Sequence, residues 1–335
     1  MTNTKSKLNI IMPLLLFLPA FVLHTFLSIN TETLLVNNVI ASLIVVIAYP
    51  ISQRLGVQTL YRRTLAAVVA GFYPAVLTQT KSAESAVMLI FPIFIAMILL
   101  ACADSKKSAA KHFLSIFLSF AVTFMVFADS LLITVAVALI ITVVFKRKSV
   151  SIAAFLISLI VLSAAVYYLT LRFQIEQGLL NFSNINITQI TDNLYSFAVS
   201  TWGLGVLGVV LFIKHIRGNS NLSTFSIFAV LSVVFGLITD ITGVTPLILI
   251  FTVCCIIKHD LDLRTVLWAV IALCGIFTMN FTDYITISAV FCVMATIIVI
   301  VCCARKYRTE ILSAAITAIS IGSCVYASLG IIYGV

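Results

Sequence analysis

The sequence predicts an all-α fold, a polytopic transmembrane helical bundle of about thirteen spans forming a single integral membrane domain over residues 1–335. Three observations lead there. The chain is 62% hydrophobic and only 9% charged, with a mean hydropathy of +1.22, whereas soluble domains carry about 25% charged residues. Apolar runs recur along the whole length, separated by short polar turns, and the longer of them approach the roughly 20 residues that cross a bilayer. Basic residues cluster in alternate turns and are nearly missing from the turns between them.

Taken in order, Met1–Leu8 carries Lys5 and Lys7 and reads as cytoplasmic. Asn9–Ile29 is the first span, expected to stay uncleaved because no small-x-small processing site follows it. The turn Asn30–Thr33 holds Glu32, and Leu34–Ile51 returns to a basic turn with Arg54, Arg62 and Arg63. Leu65–Leu77 leads out to Gly71–Ser85, with Pro74, Lys81 and Glu84, and Ala86–Ala101 comes back to Lys106, Lys107 and Lys111. Phe113–Ala128 and Leu131–Phe145 form a hairpin with Asp129 at its outer tip and Lys146–Lys148 at its return. Ile152–Thr170 runs out to the longest polar loop, Leu171–Asn193, and Phe197–Ile213 returns to Lys214 and Arg217. Phe225–Thr239 reaches Asp240, and Val244–Ile257 returns to Lys258. Val266–Phe281, Ile285–Cys303 and Ile311–Val335 complete the series, with Asp283 outside and Arg305, Lys306 and Arg308 inside.

This reading places the N-terminus inside and the C-terminus outside. Eighteen of the twenty Lys and Arg then fall on the inner side; the exceptions are Lys81 and Arg172. Seven of the eleven acids fall on the outer side. Such a distribution is the positive-inside pattern, so the net charge of +9 is a topology signal and not a nucleic-acid footprint. The inner clusters also attract anionic headgroups, which makes membrane lipid the expected partner. The expected location is the cell (cytoplasmic) membrane, crossed many times. Several spans are only 13–16 residues long, and such helices must be extended by their flanks, shielded by neighbours, or sit in thinned bilayer.

Cysteine, histidine and glycine patterns exclude several chemistries. All eight cysteines lie in or at the ends of apolar spans, where free Cys packs as a small hydrophobe, and no disulfide framework is expected. Four scattered histidines make no metal-ligand pair, so no metal is expected. The chain contains no Walker loop, no GxGxxG and no GxSxG, and no cofactor is expected.

Candidate chemistry therefore lies on the outer face. Glu32, Asp129 and Asp240 are the acids available as catalytic groups; Asp129 and Asp240 also suit solvated helix ends. Lys81 and Arg172 are the outer cations that could hold a lipid-linked phosphate. Glu84 completes an outer polar cluster with Lys81, or pairs with it across one helical turn. The loop Leu171–Asn193 mixes apolar residues with Asn, Gln and Thr and carries only three charges, a composition suited to an interfacial segment.

Residues 34–145 carry a resemblance. LLVNNVIASLIVVIAYPISQRLG (Leu34–Gly56) and AVVAGFYPAVLTQTKSAESAVMLI, with Pro74, the polar stretch Gln79–Ser82 and the pair Glu84-Ser85, resemble consecutive helices of GT-C class membrane glycosyltransferases of the protein O-mannosyltransferase-like kind. The long loop 171–193 and Pro246 occupy comparable places in that family. The resemblance implies a GT-C-like bundle that transfers or handles polyprenyl-phosphate-linked sugars at the outer face. It also implies a catalytic acid in a large first outer loop, whereas this chain has four residues there, with Glu32 as their acid. A general base needs a preorganised site, and so short a loop leaves little room for one. The chain is thus expected to be a non-catalytic GT-C relative, or one whose base comes from elsewhere, such as Asp129 or Asp240. The alternatives are a transporter or flippase for a lipid or small amphiphile, or a structural subunit that packs against another membrane protein.

Overall fold

A computed structural model describes residues 2–27, 35–80, 83–173, 187–201, 203–218, 220–239 and 242–258, together with 265, 269 and 272. All regular structure among these residues is helical, and twelve α-helices follow one another: α1 (Thr2–Leu27), α2 (Leu35–Arg54), α3 (Leu60–Gly71), α4 (Pro74–Gln79), α5 (Ala83–Asp104), α6 (Ser108–Ala128), α7 (Ile133–Phe145), α8 (Ile152–Phe173), α9 (Ile187–Ser200), α10 (Leu204–His215), α11 (Asn221–Gly236) and α12 (Thr245–Ile257). By length and composition three are fit to cross a membrane, Leu35–Arg54, Ser108–Ala128 and Ile152–Arg172, and the bent pair α9–α10 would make a fourth. Shorter apolar helices fill the rest, among them Ile133–Phe145 and Thr245–Ile257.

Apolar side chains fill the interior and also line the surface. Large apolar side chains stand exposed along α1, α6 and α8, from Ile11 to Phe26, Phe113 to Phe127 and Ile157 to Leu171. Stripes of that extent are not left facing water by soluble monomers. The interior holds α12, every residue of which is buried, and most of α11. A helix that is apolar all round belongs at the centre of a bundle. Thirteen residues of α12 reach about 20 Å, short of a bilayer's roughly 30 Å core. Its neighbours α3, α5, α10 and α11 surround it, so α12 is shielded on all sides, whatever its relation to a membrane.

Small residues set the closest helix approaches. A Cβ on Gly71 would stand 2.2 Å from Val45 Cγ2, and one on Gly208 would stand 2.3 Å from Thr252 Oγ1. Only glycine lets α3 meet α2, and α10 meet α12, at that separation. Buried hydroxyls turn back on their own helices: Ser42 donates to the Asn38 carbonyl at 2.6 Å and Thr142 to that of Ala138 at 2.7 Å. Ser119 and Ser158 meet at 2.6 Å between α6 and α8.

Basic turns gather at one end of the bundle. The Arg54 guanidinium donates to Asp104 at 2.8 Å, and Asn221 donates to the other carboxylate oxygen, joining α2, α5 and α11. Lys258 donates to the Leu55 carbonyl at 3.2 Å, Lys111 to that of Lys148, and Lys146 to that of Gly218 at 2.5 Å. The turns carrying Asp129 and Gly243 belong to the other end, where Gly243 lies beside the Met88 backbone.

Two helices depart from the expected continuous spans. The run Leu65–Leu77 is α3 extended back to Leu60, where Thr59 accepts from the Arg62 amide at 3.4 Å, followed by a break and the short α4. Pro74 opens α4 and cannot donate to a continuing helix, and Tyr73 before it is extended at φ −65°, ψ 140°. The run Phe197–Ile213 is bent by 99° between α9 and α10, with Gly203 in the left-handed region at φ 74°.

Candidate functional site

Of the outer-face candidates, Glu32, Lys81 and Asp240 lie outside the described residues. Glu84 is the second residue of α5, and its side chain is also outside them. Asp129 and Arg172 are fully described, and the structure gives them different work.

Asp129 ends α6 in extended conformation, its amide donating to the Met125 carbonyl at 3.0 Å. Its carboxylate Oδ1 accepts the Leu131 amide at 2.8 Å, and its own carbonyl accepts that of Leu132 at 3.2 Å. These bonds start the tight 3-10 turn Ser130–Leu132 that feeds α7. A side-chain oxygen satisfying an orphan amide at a helix start is a capping role. Asp129 is half-buried and organises the α6–α7 hairpin.

Arg172 sits in the last turn of α8, where a cation complements the helix dipole. It is exposed and has neither an ion pair nor a hydrogen bond among the described residues. A cleft of about 280 Å³ runs between α6, α7 and α8 at the same end of α8, walled by Val126, Phe127, Ile140 and Leu159, with Tyr167 and Thr170 at its polar edge. The Thr170 hydroxyl donates to the Tyr167 carbonyl at 2.7 Å, so its hydrogen is committed within α8. At about 100° per residue, Arg172 lies roughly opposite Leu159, Ser163 and Tyr167, the cleft-facing positions. It continues the outward stripe of Val161 and Tyr168. Arg172 and the cleft therefore share a helix end and occupy different faces of it.

Sequence reading alone did not find the junction of the two broken helices. The Tyr73 hydroxyl, buried before α4, donates to the Thr201 carbonyl at 2.5 Å, and Thr201 is fully buried in the α9–α10 bend. The Leu204 amide donates to the same carbonyl at 3.0 Å. Pro74 and Gly203 signal each break, but nothing in a linear pattern pairs them. The bond brings the end of α9, which begins within the loop 171–193, against the Gly71–Ser85 stretch. Compared with known proteins, the chain matches no protein-family model, no curated protein and no solved structure.

Proposed function

We propose that this chain is a multi-pass protein of the cytoplasmic membrane, N-terminus inside, that handles a lipid-linked sugar at the outer face, holding the carrier phosphate at the end of α8. The observation that carries the reading is Arg172: an exposed guanidinium without a described partner, at the end of an apolar stripe running down α8. A polyprenyl phosphate offers what that arrangement lacks, an anion at headgroup depth and an apolar chain to lie along the helix. Guanidinium binds phosphate through a planar bidentate fork, whereas Lys81 offers a point charge. The GT-C resemblance supports the same substrate class. Capping by Asp129 argues against that residue as a base, and the reading is of a lipid-handling relative rather than of a transferase built on Asp129.

The test is binding of a short-chain polyprenyl-phosphate analogue to the detergent-solubilised protein. Arg172→Ala should weaken binding more than Lys81→Ala, by about ten- to a hundredfold, the scale of a charge-assisted hydrogen bond of roughly 1.5–3 kcal/mol. Unchanged affinity in Lys81→Ala/Arg172→Ala would sink the phosphate site and leave the structural-subunit reading ahead.

A second reading, a transporter or flippase for a small amphiphile, draws on the junction of Tyr73 with Thr201. Transporters build substrate sites where discontinuous helices meet. Substrate-dependent change in the reactivity of a cysteine at position 201, with no effect of Arg172→Ala, would favour it.

A further inference from the structure

At the basic end of the bundle, the turns after α7 and α10 are fixed to one another. The Lys146 ammonium donates to the Gly218 carbonyl at 2.5 Å and reaches that of Ile216 at 3.4 Å. Ser149 and Thr224 meet at 3.3 Å beside it, and Ser223 donates to the Ile216 carbonyl at 3.2 Å. Partial burial lowers the pKa of Lys146 by desolvating its ammonium.

That brace joins two turns that carry other cations. Arg147 follows Lys146, and Arg217 precedes Gly218, both exposed and without a described partner. Lys214 is exposed three residues before Arg217. Asp104 is the carboxylate described at this end, and it is engaged by Arg54 and Asn221. Neither Arg147 nor Arg217 forms an ion pair among the described residues. Beside these charges stand apolar side chains: Phe145 and Ile213, 73% and 72% exposed, each directly precede a lysine. Charge and apolar surface coincide where a headgroup meets its acyl chains.

We infer that the corner formed by Arg147 and Arg217, with Lys214 beside them and Phe145 and Ile213 as apolar flanks, binds an anionic phospholipid, its phosphates against the guanidiniums and its chains against the apolar pair. Two guanidiniums on turns that one bond joins suit a headgroup with two phosphates. An acidic protein segment would satisfy the charges but leave Phe145 and Ile213 uncovered, so lipid is the better match. The site lies at the opposite end of the bundle from Arg172 and does not depend on its role.

The experiment titrates the purified full chain, in a neutral detergent, with cardiolipin and follows adducts by native mass spectrometry. Dioleoylphosphatidylcholine, inorganic diphosphate and a poly-glutamate peptide are titrated in parallel. Cardiolipin should bind in preference to all three, and Arg147→Gln/Arg217→Gln should weaken it by about thirtyfold. Lys106→Gln/Lys107→Gln removes the same charge from a neighbouring turn and should change binding by less than about threefold. An unchanged thermal midpoint without lipid establishes that the arginine variant is folded. Equal losses in the two double variants would reduce the effect to diffuse attraction and overturn the site. Equal binding of phosphatidylcholine would overturn the charge requirement. Diphosphate as tight as cardiolipin would make it a phosphate site, and preference for poly-glutamate would make it a protein contact; either result refutes the lipid assignment.

Discussion

Gly208 offers the sharpest test of the described packing. Its substitution by alanine would place a Cβ 2.3 Å from Thr252 Oγ1 and 2.8 Å from Ile248 Cγ1, against an ordinary contact of 3.4 Å or more. Either α10 and α12 part by about 1 Å or Thr252 rotates, and overpacking of this kind costs roughly 1–3 kcal/mol. Rotation would also break the Thr252 bonds to the Ile248 carbonyl at 2.7 Å and, between helices, to the Leu204 carbonyl at 3.1 Å. Such interhelical bonds are worth about 0.6–1.7 kcal/mol in membranes. Against these losses, Gly→Ala in a helix interior gains about 1 kcal/mol of propensity. The clash outweighs the gain, and Gly208→Ala should destabilise. The midpoint should fall by roughly 2–4 °C per kcal/mol lost. A thiol-reactive dye reports it, since Cys254 and Cys255 sit buried on α12 beside the contact. All variants are scanned at one rate, because membrane proteins commonly unfold irreversibly. Thr252→Ala removes the clashing oxygen, so the double variant should recover stability beyond additivity, by at least about 1 kcal/mol of coupling. A neutral or stabilising Gly208→Ala would refute the approach of α10 to α12, and absence of coupling would refute Thr252 as the obstructing group.

Other outcomes follow from the same geometry. Asp129→Ala should cost about 1 kcal/mol through loss of the cap on the Leu131 amide, while Asp129→Asn, which keeps an acceptor oxygen, should cost a fraction of that. If Asp129 were instead a catalytic base, Asn would leave stability intact and abolish sugar transfer. The alternating charge predicts that single cysteines at positions 106 and 146 resist a membrane-impermeant maleimide in intact cells, while those at 84 and 283 react. Labelling of position 146 from outside would overturn the orientation.

Much of the helical architecture was legible because two independent signals agree. Apolar runs mark the helices and basic clusters mark alternate turns; the structure gathers Arg54, Lys111, Lys146 and Lys258 at one end through bonds to carbonyls and to Asp104. Boundaries shifted where a cap decides them: Thr59 starts α3 at Leu60, five residues before the apolar run suggests. The bend at Gly203 was missed because an apolar composition persists across it, and hydropathy is blind to a backbone turn of 99°. Periodicity reports which face of a helix is buried, but not whether the helix continues.

Arg172 shows how far pattern reaches at the site and where it stops. Its phase was readable: Tyr168 lies four residues before it and Val161 eleven, all on one face at about 100° per residue. Val161 and Tyr168 on that face are exposed. What the pattern could not supply is the opposite face, because the cleft beside Tyr167 exists only once α6 and α7 are brought against α8. The same holds for Tyr73 and Thr201, which are 128 residues apart and meet through one hydrogen bond. A helix break needs its freed backbone groups satisfied within apolar surroundings. The carbonyl of Thr201 is satisfied from both sides, by Leu204 in its own chain turn and by Tyr73 from the other break. The two interruptions thus stabilise one another, and Tyr73→Phe tests a joint that neither segment could form alone.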